Sequence, residues 1–207
     1  MCFSAPVSFL ASAGLTSAGV ASARVAHDDD TALAPIPLMF GIQQFFEGVQ
    51  WLSVSSGVVH PLAKYGFLLF AFLVWPLYIP IAVYRIDHTR PLLRIFFMIV
   101  GLLVTLYLLF ILLTTPVLVY VRGMSIVYDV SMPYQYSVLV AYLLATCGAP
   151  MTSSKKEIRF GGVLIFTAAL ISGLLFEKEF VSVWCFFSAI ISGALYWYLR
   201  KRAVVVA

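Results

Sequence analysis

Read for its pattern of apolar and polar positions, the chain is a succession of apolar runs of about 17 to 21 residues, the length needed to cross a bilayer as helix. They run from about Phe3 to Ala23, Leu38 to Val54, Tyr65 to Tyr84, Ile95 to Leu113, Tyr134 to Pro150, Phe160 to Phe176 and Phe180 to Leu199. Polar or proline-bearing links separate them, such as His27 with Asp28-Asp29-Asp30 before Pro35 and Pro37, and the cluster Arg85, Asp87, His88, Arg90 and Arg94. The pattern predicts an all-α membrane protein of seven transmembrane helices in a single domain over residues 1–207.

Only one run carries a carboxylic acid in its middle, FGIQQFFEGVQW from Phe40 to Trp51. At 100° per residue, Gln43, Gln44, Glu47, Gln50 and Trp51 fall within an arc of about 120°, whereas Phe45, Phe46, Val49 and Leu52 lie outside it. Such a group near mid-membrane costs roughly 2.5 kcal/mol or more on insertion scales, so it turns toward the bundle interior. Glu47 is expected to face inward, either hydrogen-bonding neighbouring helices or lining a polar cavity.

The other runs differ in kind. The first places Ser4, Ser8, Ser12 and Thr16, and also Gly14, Ala18 and Ser22, at four-residue spacing, a pattern that lets helix backbones approach closely in lipid and predicts a buried helix. The third contains Trp75-Pro76 and Pro80, which kink a helix and free carbonyls that need a neighbour, and so suggest cavity walls. The fourth is the most uniformly apolar and is expected to face lipid. Between the fourth and fifth, VLVYV and SIVYDV flank Arg122-Gly123, which predicts a β-hairpin on the membrane surface.

Composition agrees with the pattern. Of 207 residues, 62% are hydrophobic and 11% charged, with mean hydropathy +1.01, against about 45–50% apolar and about 25% charged in soluble domains. The formal charge of +4 is no nucleic-acid signature. Its distribution orients the chain: Arg24, the Arg85 to Arg94 group, Lys155, Lys156, Arg159 and Arg200 to Arg202 gather 10 of 13 basic residues on one side, leaving Lys64, Arg122 and Lys178 opposite. By the positive-inside rule the N-terminus is outside and the C-terminus cytoplasmic, in the inner (plasma) membrane, with Tyr196, Trp197 and Tyr198 at the inner interface. The opening residues lack the basic region of a signal peptide and are read as retained.

This orientation places Cys2, Glu47, Trp51, Asp129, Tyr134, Gln135, Glu177 and Cys185 near the outer side, an outward-facing polar pocket roofed by the hairpin. Cys2 and Cys185 could be bridged, hold a soft metal or do thiol chemistry, or pack as two small hydrophobes, with Cys147 at the inner end and apart from them. His27, His60 and His88 fall in separate loops, which argues against a histidine zinc site. No Gly-x-Ser-x-Gly elbow, Walker loop or retinal-bearing lysine occurs, and no cofactor is specified. Helices one to three and five to seven would share orientation about the fourth, the plan of a 3+1+3 parallel repeat.

The opening MCFSA, FGIQQFFEGVQW, Val74-Trp75-Pro76, Val127-Tyr128-Asp129, Pro133-Tyr134 and SVWCFFSA from Ser182 to Ala189 resemble an uncharacterised bacterial multi-pass membrane family, a domain of unknown function whose members open Met-Cys-Phe-Ser-Ala. The resemblance implies no activity. It emphasises Cys2, Gln43, Gln44, Glu47, Trp51, Trp75, Tyr128, Trp184 and Cys185. Three functions follow from these readings: binding or transport of a small polar solute or ion, with Glu47 protonatable; a membrane-embedded metal or thiol enzyme using Cys2, Glu47 and Cys185; or a sensor or scaffold with a membrane partner or a second copy.

Overall fold

The structure, a computed structural model, describes residues 4–27 and 30–206. Cys2, the start of the first run at Phe3, and Asp28-Asp29 lie outside the described residues. Helix α1 spans Ala5–Val25 and α2 spans Ile36–Ser55. Helix α3 spans Pro61–Ile86 and α4 spans Pro91–Thr114. Strands β1 (Val117–Arg122) and β2 (Ser125–Val130) follow, then α5 over residues 135–151, α6 (Lys156–Leu175) and α7 (Phe180–Val206). Proline occupies the first or second position of α1, α2, α3 and α4, where its missing N–H costs no intrahelical bond.

Four helices, α3, α4, α6 and α7, are long and apolar enough to cross a membrane. α1 and α2 have 21 and 20 residues, but their serines, glycines and amides keep them out of that group. α4 has the highest mean hydropathy of the four, 2.9, and only 33% of its best window is buried; α6 is more exposed still at 28%. Arg94, expected among the loop charges, lies inside the first turn of α4 and is buried. α7 continues past Arg200-Lys201-Arg202, about two turns beyond its expected end.

The bundle packs α2 against α1, α3 and α7, with α6 on the other flank of α7 and α5 against α3, α4 and α6. The α1–α2 seam uses small residues. A Cβ on Gly19 would come within 2.5 Å of Leu38, and one on Gly41 within 2.6 Å of the Thr16 hydroxyl. The buried stripe of α1 is Ala5, Ser8, Ser12, Leu15, Gly19 and Ser22, at alternating three- and four-residue spacing. The opposite face, with Leu10, Gly14 and Val20, is exposed, so α1 is a flank of the bundle and not enclosed in it.

Prolines act on α3 and α5 by widening them. Leu69–Val74 in α3 and Leu144–Gly148 in α5 are π-helical, immediately before Trp75-Pro76 and Ala149-Pro150. A proline ring collides with the carbonyl four residues back, and a π-turn relieves the collision. In α3 the Trp75 amide bonds to Phe70 O, so Ala71 O loses its helical donor, and the Tyr142 hydroxyl of α5 donates to it. Pro80 likewise leaves Pro76 O without its helical donor; α4 closes over that carbonyl at Gly101, where a Cβ would sit 2.0 Å away. These two helices would not be equivalents in a 3+1+3 repeat.

The hairpin forms with the register Val117↔Val130 through Arg122↔Ser125. Gly123 turns it at φ +59, a conformation glycine adopts without a Cβ penalty. Its strands differ: β2 packs on α7, with Ser125 to Tyr128 buried and the Tyr128 ring stacked on Phe67 of α3 at 4.6 Å, whereas β1 beyond Val117 and the tip at Met124 are largely exposed. This end of the bundle is called the hairpin end below, and the opposite one the basic end.

Candidate functional site

Helix α2 carries its polar stripe into the bundle. Gln43, Gln44, Glu47 and Gln50 each have 0% exposure, Trp51 has 9%, and Phe45 and Leu52 on the other side are exposed. Gly41 and Gly48 on the α1-facing side permit the close approach that encloses them; a Cβ on Gly48 would meet the Phe9 ring at 2.8 Å. The periodicity of the sequence therefore located the buried face.

Within this centre the Ser182 hydroxyl of α7 donates to Glu47 Oε1, and Gln44 Nε2 donates to Glu47 Oε2 at 3.2 Å. The Trp75 indole of α3 donates to Gln43 Oε1 at 2.7 Å, and its ring stacks on Phe40 at 3.9 Å. Cys185, one turn after Ser182, is buried within electrostatic reach of Gln43 and Glu47. Both side-chain atoms of Gln50, Gln44 Oε1 and the Trp51 indole N–H are buried and hydrogen-bond to no protein group. Leaving a buried donor or acceptor unmatched costs about 1–3 kcal/mol, so this is a costly arrangement for mere packing.

A cavity of about 950 Å³ begins at the floor of this centre and runs to the basic end. Phe40, Trp75, Tyr142, Trp184 and Cys185 form its inner end; Ile158, Phe160, Leu164, Ile191 and Leu195 form its walls. Lys155, Lys156, Lys201 and Arg202, with Glu157, form its mouth. Trp75 is the partition, with its N–H in the polar centre and its ring on the cavity. This cavity thus runs to the basic end, whereas the pocket was expected under the hairpin at the opposite end, where Ser125 to Tyr128 of β2 are buried.

The expected residues separate accordingly. Gln43, Gln44, Glu47, Trp51, Trp75 and Cys185 are brought together, and Trp184 lines the cavity with its indole donating to Ile165 O. Tyr128 sits in the hairpin packing on Phe67. Asp129, Tyr134, Gln135 and Glu177 are exposed at the surface, Tyr134 at 80%, because they face away from the strand and helix sides that pack inward. Cys2, and with it the bridge to Cys185, falls outside the described residues. Cys147 is buried in the π-helical turn of α5.

Two polar clusters at the basic end have no counterpart in the sequence reading. Asp30, 0% exposed, pairs with Lys155 at 2.8 Å and Arg202 at 3.0 Å, joining the turn before α2 to the α5–α6 link and to α7 beside the cavity mouth. Arg94 pairs with Asp87 at 2.9 Å and donates to Ala149 O and Thr152 O, while Ser153 and the Ser154 amide donate to Asp87. Burial pushes the Asp87 carboxyl up, but hydrogen bonds from Thr89, Ser154 and Ser153 prevail and hold it well below the usual carboxylate range. His60 caps α3, His27 and His88 are exposed, and among the described residues no group of three metal-ligating side chains occurs.

No curated protein and no solved structure matches the chain. A family profile does, along its whole length. The motifs that surround Glu47 and Cys185 thus sit in a chain that belongs, over residues 1–207, to the family of unknown function DUF6629.

Proposed function

We propose that the protein is an integral inner-membrane protein of seven spans, N-terminus outside and C-terminus cytoplasmic, that binds or passes a small polar solute or ion at the Glu47 centre. Access is from the basic, cytoplasmic end through the cavity. The observation that carries this reading is the set of unmatched polar atoms of Gln44, Gln50 and Trp51 around a fully buried carboxyl. Such atoms call for a polar guest, and an intramembrane acid marks a solute or ion path by default. The seven-span topology is supported by the position of α2 between α1, α3 and α7: its amides lower its hydropathy yet meet no lipid.

Thermal denaturation of the purified protein in detergent tests the reading, with sodium, potassium, ammonium, neutral amino acids and simple sugars as probes. A ligand at a hundredfold its Kd adds about 2.7 kcal/mol, a rise of roughly 5–10 °C for a chain of this size. At least one probe raises the midpoint in the native protein, Glu47→Gln abolishes the rise, and Gln50→Leu weakens it. A rise that survives Glu47→Gln, or none with any probe, defeats the proposal.

A further inference from the structure

The cavity beneath the polar centre has a shape and charge of its own. From Cys185 to Lys201 along α7 it extends roughly 24 Å, most of the thickness of a bilayer's hydrocarbon core. Its 950 Å³ spread over that length is room for a hydrocarbon chain. Apolar side chains dominate the walls, and among the lining residues Phe160 and Leu164 of α6 and Trp197 of α7 are exposed.

The cations are at one end only. Lys155 and Arg202 are held by Asp30, whereas Lys156 and Lys201 form no ion pair among the described residues, and with Glu157 counted the mouth remains net positive. A long apolar slot with exposed apolar side chains along it and unneutralised cations at one end matches an amphiphile with a negative head.

From this we infer that the crevice lined by α6 and α7 binds an anionic lipid from the bilayer, its phosphoryl head between Lys156 and Lys201 and one acyl chain running up to Trp184 and Trp75. The site adjoins the Glu47 centre and shares the cavity through which the solute is proposed to enter, so a seated chain and an entering solute exclude one another there; the lipid assignment itself does not depend on that solute. Gly161, where a Cβ meets nothing within 4 Å, is the position at which the slot can be filled without disturbing the fold.

The test uses the Trp197→Phe protein in phosphatidylcholine vesicles containing a minor fraction of tail-brominated lipid, either phosphatidylglycerol or phosphatidylcholine. Bromine quenches at contact, so loss of emission from the buried Trp75 and Trp184 reports a chain inside the crevice. Brominated phosphatidylglycerol quenches at much lower mole fraction than brominated phosphatidylcholine, and Lys156→Gln and Lys201→Gln each reduce that preference by about fivefold. Gly161→Phe removes the quenching while leaving the melting transition in place, and Glu47→Gln leaves it unchanged. Equal quenching by the two lipids, or quenching that persists in Gly161→Phe, overturns the assignment. So does loss of the preference on adding millimolar inorganic phosphate, which would make the mouth a free-phosphate site.

Discussion

Glu47 accepts from the Ser182 hydroxyl and the Gln44 amide among its partners, and this makes its environment measurable one residue at a time. Ser182→Ala removes a donor to the carboxyl and leaves Glu47 Oε1 with a lost partner inside the bundle. A bond to a charged group is worth about 1.5–3 kcal/mol and a neutral one about 0.5–1.5 kcal/mol, so the fall in unfolding free energy of Ser182→Ala also reports the carboxyl's ionisation. Thermal or denaturant unfolding in detergent micelles measures it; no change would place Ser182 outside the centre. The α2 half of this site was legible in sequence because five polar residues share one helical face in an apolar run. Ser182 and Tyr142 were not: a single hydroxyl in an apolar helix reads the same whether it packs or donates, and which helix it meets is a fact of tertiary packing.

At the scale of elements, close approach is set by glycines that touch backbone. Gly101 lies against the Pro76 carbonyl that Pro80 leaves without a helical donor, and a methyl there would overlap the oxygen at 2.0 Å. Since backbone cannot yield as a flexible side chain does, Gly101→Ala forces α4 away from α3 at a cost of about 1–3 kcal/mol or more. The midpoint falls by at least roughly 2–4 °C per kcal/mol. Gly161→Ala is the control: its Cβ is unopposed, and helix propensity favours alanine by up to about 1 kcal/mol. Equal destabilisation by both changes would show that the α3–α4 contact is not the limit. The hairpin was readable from two β-branched runs around Arg122-Gly123, and the prolines announced that α3 would be irregular. The packing face of α4 was not readable, because the buried Phe97, Val104, Leu108 and Ile111 are of the same apolar kinds as the exposed residues around them; Gly101 and Thr105 also lie on the side that turns inward.

For the molecule as a whole, charge placement and the two buried ion clusters describe the same end. The proposed orientation puts the basic end in the cytoplasm, so in a Cys2→Ser background a cysteine introduced by Met124→Cys, at the exposed hairpin tip, is expected to react with a membrane-impermeant maleimide on intact cells. One introduced by Lys201→Cys reacts only after permeabilisation; the opposite result inverts the topology. The sequence reading counted Arg94 as a surface charge, since nothing in one dimension distinguishes a loop arginine from one folded back onto Asp87. That pair ties the α3–α4 turn to the α5–α6 link, with side chains 1% and 0% exposed. Removing one partner of a buried pair typically costs about 3–5 kcal/mol, because the other charge is stranded. Asp87→Asn should therefore lower the unfolding midpoint sharply near neutral pH. The pH dependence has a definite sign: the folded Asp87 carboxyl lies below its unfolded value of about 3.9, so its contribution is complete above that pH and is lost as pH falls toward the folded value. Melting curves of the native protein should hold level down to about pH 5 and then decline below pH 4. The difference between native and Asp87→Asn should shrink over that same interval, which separates this carboxyl from every other acid in the chain. A difference that stays constant down to pH 3 would mean that the cluster is held by its hydroxyl and amide contacts, with the carboxylate's charge contributing nothing.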